Sequence, residues 1–263
     1  MKIEELLPDA QKAIAMVEET IGKDIHFVLD SKLGDQVGLQ YALEKEAPPI
    51  VTFGPKCGVE QSHILASKAL QILRMELVPF EERKLPVSMG SHLNNARLQI
   101  QGEGQYNPVI AEALEQDEIV RSWVFSLVNQ VVSQPMDIII QKQIYQDYPE
   151  LHEQQQLMLE QQLGDFRKTL TGEVEQFSPK VVFDASVVMN GTYLGILDKV
   201  TGKHYLDDLP ALNKRRKIDR LIVETEPLLG SDHKSDVELT NYWSKDLRIS
   251  SWFAWYSIDS LPH

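Results

Sequence analysis

The spacing of hydrophobic and polar positions predicts a helix, a small sheet, and then a chain that is helical for most of its length. From Asp9 to Ile21 the apolar residues Ile14, Val17 and Ile21 recur at three- and four-residue steps behind Pro8, and Gly22 follows. That pattern predicts an amphipathic helix closed by glycine. IHFVL at 25–29 and VGLQYAL at 37–43 are rich in branched and aromatic residues, with SKLGDQ as a turn between them; they predict two strands. Pro48 and Pro49 introduce a third strand, Ile50 to Phe53. Three short strands need a cover over one face. The stretch from Gly58 to Val78 supplies it, because Val59, Leu65, Ala66, Ala69, Leu70, Ile72, Leu73 and Leu77 share one broad side of a helical wheel bracketed by Gly58 and Pro79.

From Pro79 to Pro108 the period fades among prolines and glycines, which predicts a long irregular connection. Helical spacing returns over Val109 to Val132, with Glu112, Glu115, Asp117 and Glu118 on the polar side. Pro135 and Pro149 are expected to start two further helices, the second running from Glu150 to Leu170. Val181 to Val200 predicts another, ended by Thr201-Gly202-Lys203. After a linker at Pro227 to Ser235, a last helix is expected from Asp236 to about Ile258. Trp243, Trp252, Phe253, Trp255 and Tyr256 crowd this end, and large aromatic side chains predict a segment that docks onto the body. The fold class is therefore α+β: a small N-terminal sheet covered by a central helix, then a mostly α-helical C-terminal part. The loss of period places a boundary between 1–107 and 108–263, either as two regions of one domain or as separate units.

The covering helix carries the candidate chemistry. Glu60, His63, Ser67 and Arg74 fall together on the flank of its apolar side, since residues three, four and seven apart share a face. A helical zinc site needs two imidazoles one turn apart, with a carboxylate beside the first to activate water. The matching window here is His63-Ile64-Leu65-Ala66-Ser67. It keeps the first imidazole, while isoleucine stands at the general-base position and serine at the second ligand position. Together with PPIVTFGP before it and the proline-terminated SHILASKALQILRMELVPF, the first half of the chain resembles the small IrrE-like zinc-peptidase domains. The resemblance implies a zincin-like scaffold that has lost its reaction, a pseudo-enzyme, because Ile64 takes no proton from water and Ser67 is a poor zinc ligand. A bland reading stands beside it, in which His63 is a helix-flank histidine bonded to Glu60.

Other candidates are weaker. His92, with Asn94 and Asn95, lies in the irregular segment, either near the His63 groove or in a solvated loop. The acids at 112–118 are where such a peptidase places a third ligand, and otherwise form a solvated face. HEQQQ at His152 to Gln156 is a chance near-match to HExxH, and a single Glu60-x-x-His63 is too few for a carboxylate-bridged di-iron bundle. The cations from Lys214 to Lys217 are expected to pair with neighbouring acids.

Composition narrows the function classes. Of 263 residues, 39 are acidic and 26 basic, and the resulting charge of −13 argues against general nucleic-acid binding. A single cysteine, Cys57, excludes an internal disulfide framework and predicts a reducing, cytoplasmic setting. No apolar run reaches the ~18 residues of a membrane span. No glycine-rich phosphate loop, GxSxG elbow or CxxC pair is present. The sequence thus predicts a non-catalytic regulatory or protein-interaction protein that meets another protein and needs no cofactor. Its alternative is a metal-dependent hydrolase with zinc displaced onto His63 and Glu60. The candidate groove is Glu60, His63, Ser67, Arg74 and His92.

Overall fold

Helix α1, Pro8–Ile21, opens the fold as its spacing predicts. It ends at Gly22 with φ 68°, a left-handed turn in which the Gly22 N–H closes onto the Glu18 carbonyl. The computed structural model describes residues 3–34, 36–55, 61–207, 209 and 213–260. Three strands follow α1: β1 His26–Leu29, β2 Val37–Gln40 and β3 Ile50–Phe53. Strand β3 is central, parallel to β1 with His26 opposite Ile50, and antiparallel to β2 with Val37 opposite Phe53. Helix α2, Ser62–Glu76, lies next, and the predicted first residues of that helix, Gly58 to Glu60, fall outside the described residues. The small N-terminal sheet, its helical cover and the mostly helical remainder make an α+β protein.

The remainder runs through β4 Lys84–Val87, α3 Gly90–Gly104, α4 Pro108–Leu114 and α5 Asp117–Asp147. It continues with α6 His152–Thr169, α7 Gly172–Phe177, α8 Lys180–Thr201, α9 Arg215–Thr225, α10 His233–Asp246 and β5 Ala254–Ser257. Two hydrophobic cores result. One joins Ile14 and Val17 of α1, Val51 of β3, Leu65, Leu70 and Ile72 of α2, and Met136, Ile140 and Ile144 of α5. The other gathers α3, the first half of α5, α8, α9 and α10 around Val124, Leu127, Leu194, Ile218, Trp243 and Trp252. Helix α5 serves both, and its 31 residues span about 46 Å at 1.5 Å per residue.

Three expectations are corrected. The segment from Pro79 to Pro108 is ordered as β4 and α3, with its prolines and glycines near element ends or on a two-stranded edge, where neither breaks a ladder. Pro135 starts no helix; it is buried inside α5. An interior proline costs about 3 kcal/mol, and here apolar burial against two cores on either side of it offsets that cost. The spacing over 109–132 also hides a break, since α4 ends at Leu114 and α5 begins at Asp117.

The last helix is likewise shorter than expected. It stops at Asp246; Arg248 turns with φ 64°, its carbonyl held by the Gln99 side-chain amide at 2.9 Å. The chain then returns as β5 beside β4, with Lys84 opposite Ser257. The aromatic end does dock: Trp243 and Trp252 are fully buried, and their indole N–H groups reach Thr225 Oγ1 at 2.8 Å and Gln99 Oε1 at 3.0 Å. Among the described residues no helix is long and apolar enough to cross a membrane.

Candidate functional site

His63 enters the first turn of α2, where backbone N–H groups lack helical partners. Its own N–H donates to Gln154 Oε1 of α6 at 2.9 Å. Its ring is 2% exposed and its Nε2 meets Gln141 Oε1 of α5 at 2.8 Å. Gln141 is held from three further sides. Gln155 Nε2 of α6 donates to the same oxygen at 2.9 Å, and Gln141 Nε2 donates to Asp137 Oδ1 at 3.1 Å and to Ser67 Oγ at 3.5 Å. The Ser67 hydroxyl in turn donates to the His63 carbonyl at 2.9 Å, and the Tyr193 hydroxyl of α8 donates to Asp137 Oδ2 at 2.6 Å. Four helices thus meet in one hydrogen-bonded lattice.

The lattice fixes the imidazole. A carboxylate accepts and does not donate, so the Gln141 NH2 must face Asp137 and its oxygen must face His63. Nε2 therefore carries the proton, and Nδ1 keeps a bare, buried lone pair with no partner. Burial holds the His63 ring below the usual histidine range, against the opposing pull of Gln141 and Asp137, so the neutral form is the stable one. Tyr193 is pushed well above its usual range by burial beside Asp137.

The zinc implied by the resemblance does not fit here. Nε2 is a protonated donor already engaged by an amide oxygen, and the bare Nδ1 lone pair has no partner side chain. Ser67 spends its hydroxyl on the backbone, Gln141 and Gln155 offer amides, which suit zinc poorly, and the nearby Asp137 carboxylate is engaged by Gln141 and Tyr193. Among the described residues no group of three or more His, Cys, Asp or Glu side chains is placed to hold a metal ion. Glu60 and Cys57 lie outside the described residues.

The other expected groove residues are spent elsewhere. Arg74, on the next turns of α2, pairs with Asp236 of α10 through two bonds of 2.6 and 2.9 Å, and its Nη2 also donates to the carbonyls of Gly230 and Asp232. His92 Nδ1 accepts from the Met89 N–H at 2.8 Å and caps α3. Glu112, Glu115, Asp117 and Glu118 are exposed, the solvated face that was one reading of their spacing. Lys214, Arg215 and Lys217 pair with Asp184, Asp219 and Asp246, as expected of that basic run. HEQQQ contributes differently from either motif reading: His152 stacks on Tyr145 while Gln154 and Gln155 supply two arms of the His63 lattice.

Sequence spacing carried one further signal. Gln130, Gln134, Asp137 and Gln141 recur at steps of four, three and four along α5, a polar stripe on one side of the helix. The stripe faces α2 and α8: Gln130 and Gln134 both donate to Asn190 Oδ1 at 2.8 Å. It also lines a cavity of about 450 Å3 together with His63, Ser67, Lys68, Gln71 and Tyr193. Burial pushes the Lys68 ammonium below its usual range, with Asp137 pulling it back up. A second cavity of about 280 Å3, walled by Met75, Leu85, Pro86, Val132 and Trp255, shares Gln71, Asn129, Ser133 and Met136 with the first. Comparison with known proteins finds no matching family model, no significantly similar curated protein and no significantly similar solved structure.

Proposed function

We propose that this protein is a non-catalytic regulatory or interaction protein built on a scaffold like that of the small IrrE-like zinc peptidases. One observation carries the reading: His63 Nε2, the nitrogen that a helical zinc site presents to its metal, is tied at 2.8 Å to Gln141 Oε1, an oxygen that Gln155 also holds. Isoleucine and serine at positions 64 and 67 support it, because neither supplies water activation or metal capture. What remains is a cleft between α2, α5, α6 and α8, suited to holding a ligand and reporting its presence to a partner protein. The single cysteine and the acidic composition fit a cytoplasmic setting.

The competing reading, a hydrolase with zinc displaced onto His63 and Glu60, makes the opposite prediction for metal. Purified protein incubated with excess zinc and then desalted is expected to retain substoichiometric metal, equal in wild type and His63→Ala, and to cleave no peptide substrate. One zinc per chain that disappears in His63→Ala, accompanied by chelator-sensitive peptidase activity, overturns the proposal.

A further inference from the structure

The charges inside the larger cavity are unusual in number and placement. Of its lining residues only Lys68 on α2 and Asp137 on α5 carry full charge, one of each sign, and the His63 imidazole is held neutral by burial. The rest of the polar wall is amides and hydroxyls, including Gln71, Asn129, Gln134 and Gln141. No ion pair joins Lys68 to Asp137. The Lys68 ammonium rests on the neutral Gln71 Oε1 at 3.2 Å, and Asp137 accepts only from the neutral Tyr193 and Gln141. Two opposite charges are thus kept apart in one cavity, each lacking a counter-charge at contact distance, and burial holds the Lys68 ammonium below its usual range.

Partly desolvated charges are costly when left unpaired, so this arrangement selects its occupant. A simple anion gains Lys68 but is repelled by Asp137; a simple cation meets the reverse. A neutral polyol leaves both charges uncompensated. A molecule bearing one carboxylate and one ammonium close together satisfies both, with the amide wall available for the remaining hydrogen bonds. The adjoining chamber of about 280 Å3 shares Gln71, Asn129, Ser133 and Met136 with the charged cavity; Met75, Leu85, Pro86, Val132 and Trp255 give it an apolar wall, with Lys84, His233 and Asp236 at its border. The geometry points to a free α-amino acid with a large apolar side chain as the ligand: carboxylate toward Lys68, ammonium toward Asp137, side chain in the chamber beside Trp255. The inference rests on the non-catalytic reading of the same cleft, and names the ligand through which the protein is regulated.

The test uses the full-length wild-type chain and titration calorimetry with L-leucine and L-phenylalanine, each compared with its C-terminal amide and its N-acetyl derivative. The amino acids are expected to bind, and each derivative, having lost one charge, to bind at least about tenfold more weakly, a step of about 1.4 kcal/mol. In Lys68→Met the preference for the amino acid over its amide is expected to vanish, while its preference over the N-acetyl derivative persists. Asp137→Asn is the mirror case, but that side chain also holds Gln141 and Tyr193, so Lys68→Met and the derivatives on wild-type protein decide the matter. No binding of either amino acid at millimolar concentration, derivatives that bind as well as the parents, or binding by a dipeptide alone each overturns the inference. Metal analysis of the same sample separates the two failures. A metal-free protein that binds no amino acid sinks only the ligand assignment, whereas stoichiometric zinc on His63 removes the reading beneath it.

Discussion

Helix α2 buries an imidazole and a guanidinium eleven residues apart, and the protein settles them in opposite ways. Near its start, His63 is kept neutral and bound by amides from α5 and α6, with the Ser67 hydroxyl of α2 on its carbonyl. Three turns on, Arg74 keeps its charge and is matched by Asp236 and by two backbone carbonyls. A cavity of about 450 Å3 lies beside the first. The second fastens the sheet-covering helix to α10, with Asp236 on the wall of the smaller cavity. The imidazole is thus neutral beside its cavity, while the Arg74–Asp236 pair keeps its charges at hydrogen-bond contact.

The contrast is open to direct attack, most forcefully at the ion pair. Both partners are nearly buried, with side chains 7% and 5% exposed. Arg74→Ala strands the Asp236 carboxylate, and is expected to cost about 3–5 kcal/mol in urea denaturation. Replacing both, Arg74→Met with Asp236→Leu, is expected to recover most of that loss, since a well-packed apolar pair is often no worse than a buried salt bridge. Were the single and double replacements equally damaging, the pair would owe its place to the backbone carbonyls alone.

The His63 end is expected to yield more cheaply. His63→Ala removes one neutral hydrogen bond and leaves Gln141 Oε1 with its Gln155 partner, so the loss is about 1–3 kcal/mol by the same measurement. A loss as large as that of Arg74→Ala would show that the two ends are not energetically distinct.

Proton linkage sharpens the comparison further. Burial holds both His63 and His233 below the ordinary histidine value of 6.5, so the unfolded chain binds protons that the folded one refuses. Stability is then complete above pH 6.5 and declines as the pH falls through the folded values. Asp236 works the other way: burial raises its carboxyl above 3.8, so its effect favours the folded state in acid and fades as the pH rises through the folded value. Unfolding measured from pH 7.5 to 5 is expected to show the histidine decline, and in His63→Ala a shallower one. An unchanged slope in that variant would place the linkage at His233.

The smallest effect tests how Arg74 is framed. Asp232 caps α10 by accepting from the Ser235 N–H at 2.9 Å, and its carbonyl also receives Arg74. Asp232→Ala is expected to cost about 1 kcal/mol, the usual loss of a helix cap, with the Arg74–Asp236 pair intact. A loss near that of Arg74→Ala would mean that the cap holds the ion pair in place.

Much of the α+β arrangement was readable because its signals are local. Helix α1, strands β1 to β3 and α8 follow from periodicity and from glycine or proline at their ends. The region from 79 to 108 was not readable, because β4 owes its existence to β5, a partner at the other end of the chain, and α3 shows only Ala96 and Ile100 buried along fifteen residues. Pro135 misled for a related reason: local propensity breaks a helix there, and burial against two cores overrides it. At the candidate site, His63 and Ser67 were legible from helical spacing. Their true companions, Asp137, Gln141 and Gln155, were not, since glutamines on separate helices carry no motif. The four-three-four polar stripe on α5 was the available clue.

The tautomer of His63 is the measurement closest to the centre of this account. Imidazole nitrogen spectra of 15N-histidine-labelled protein, recorded before and after addition of zinc, read both ring nitrogens directly. The account predicts a protonated Nε2, a lone-pair Nδ1, and no change at His63 when zinc is added. A bare Nε2 that shifts on zinc addition and returns when a chelator removes the metal would contradict it.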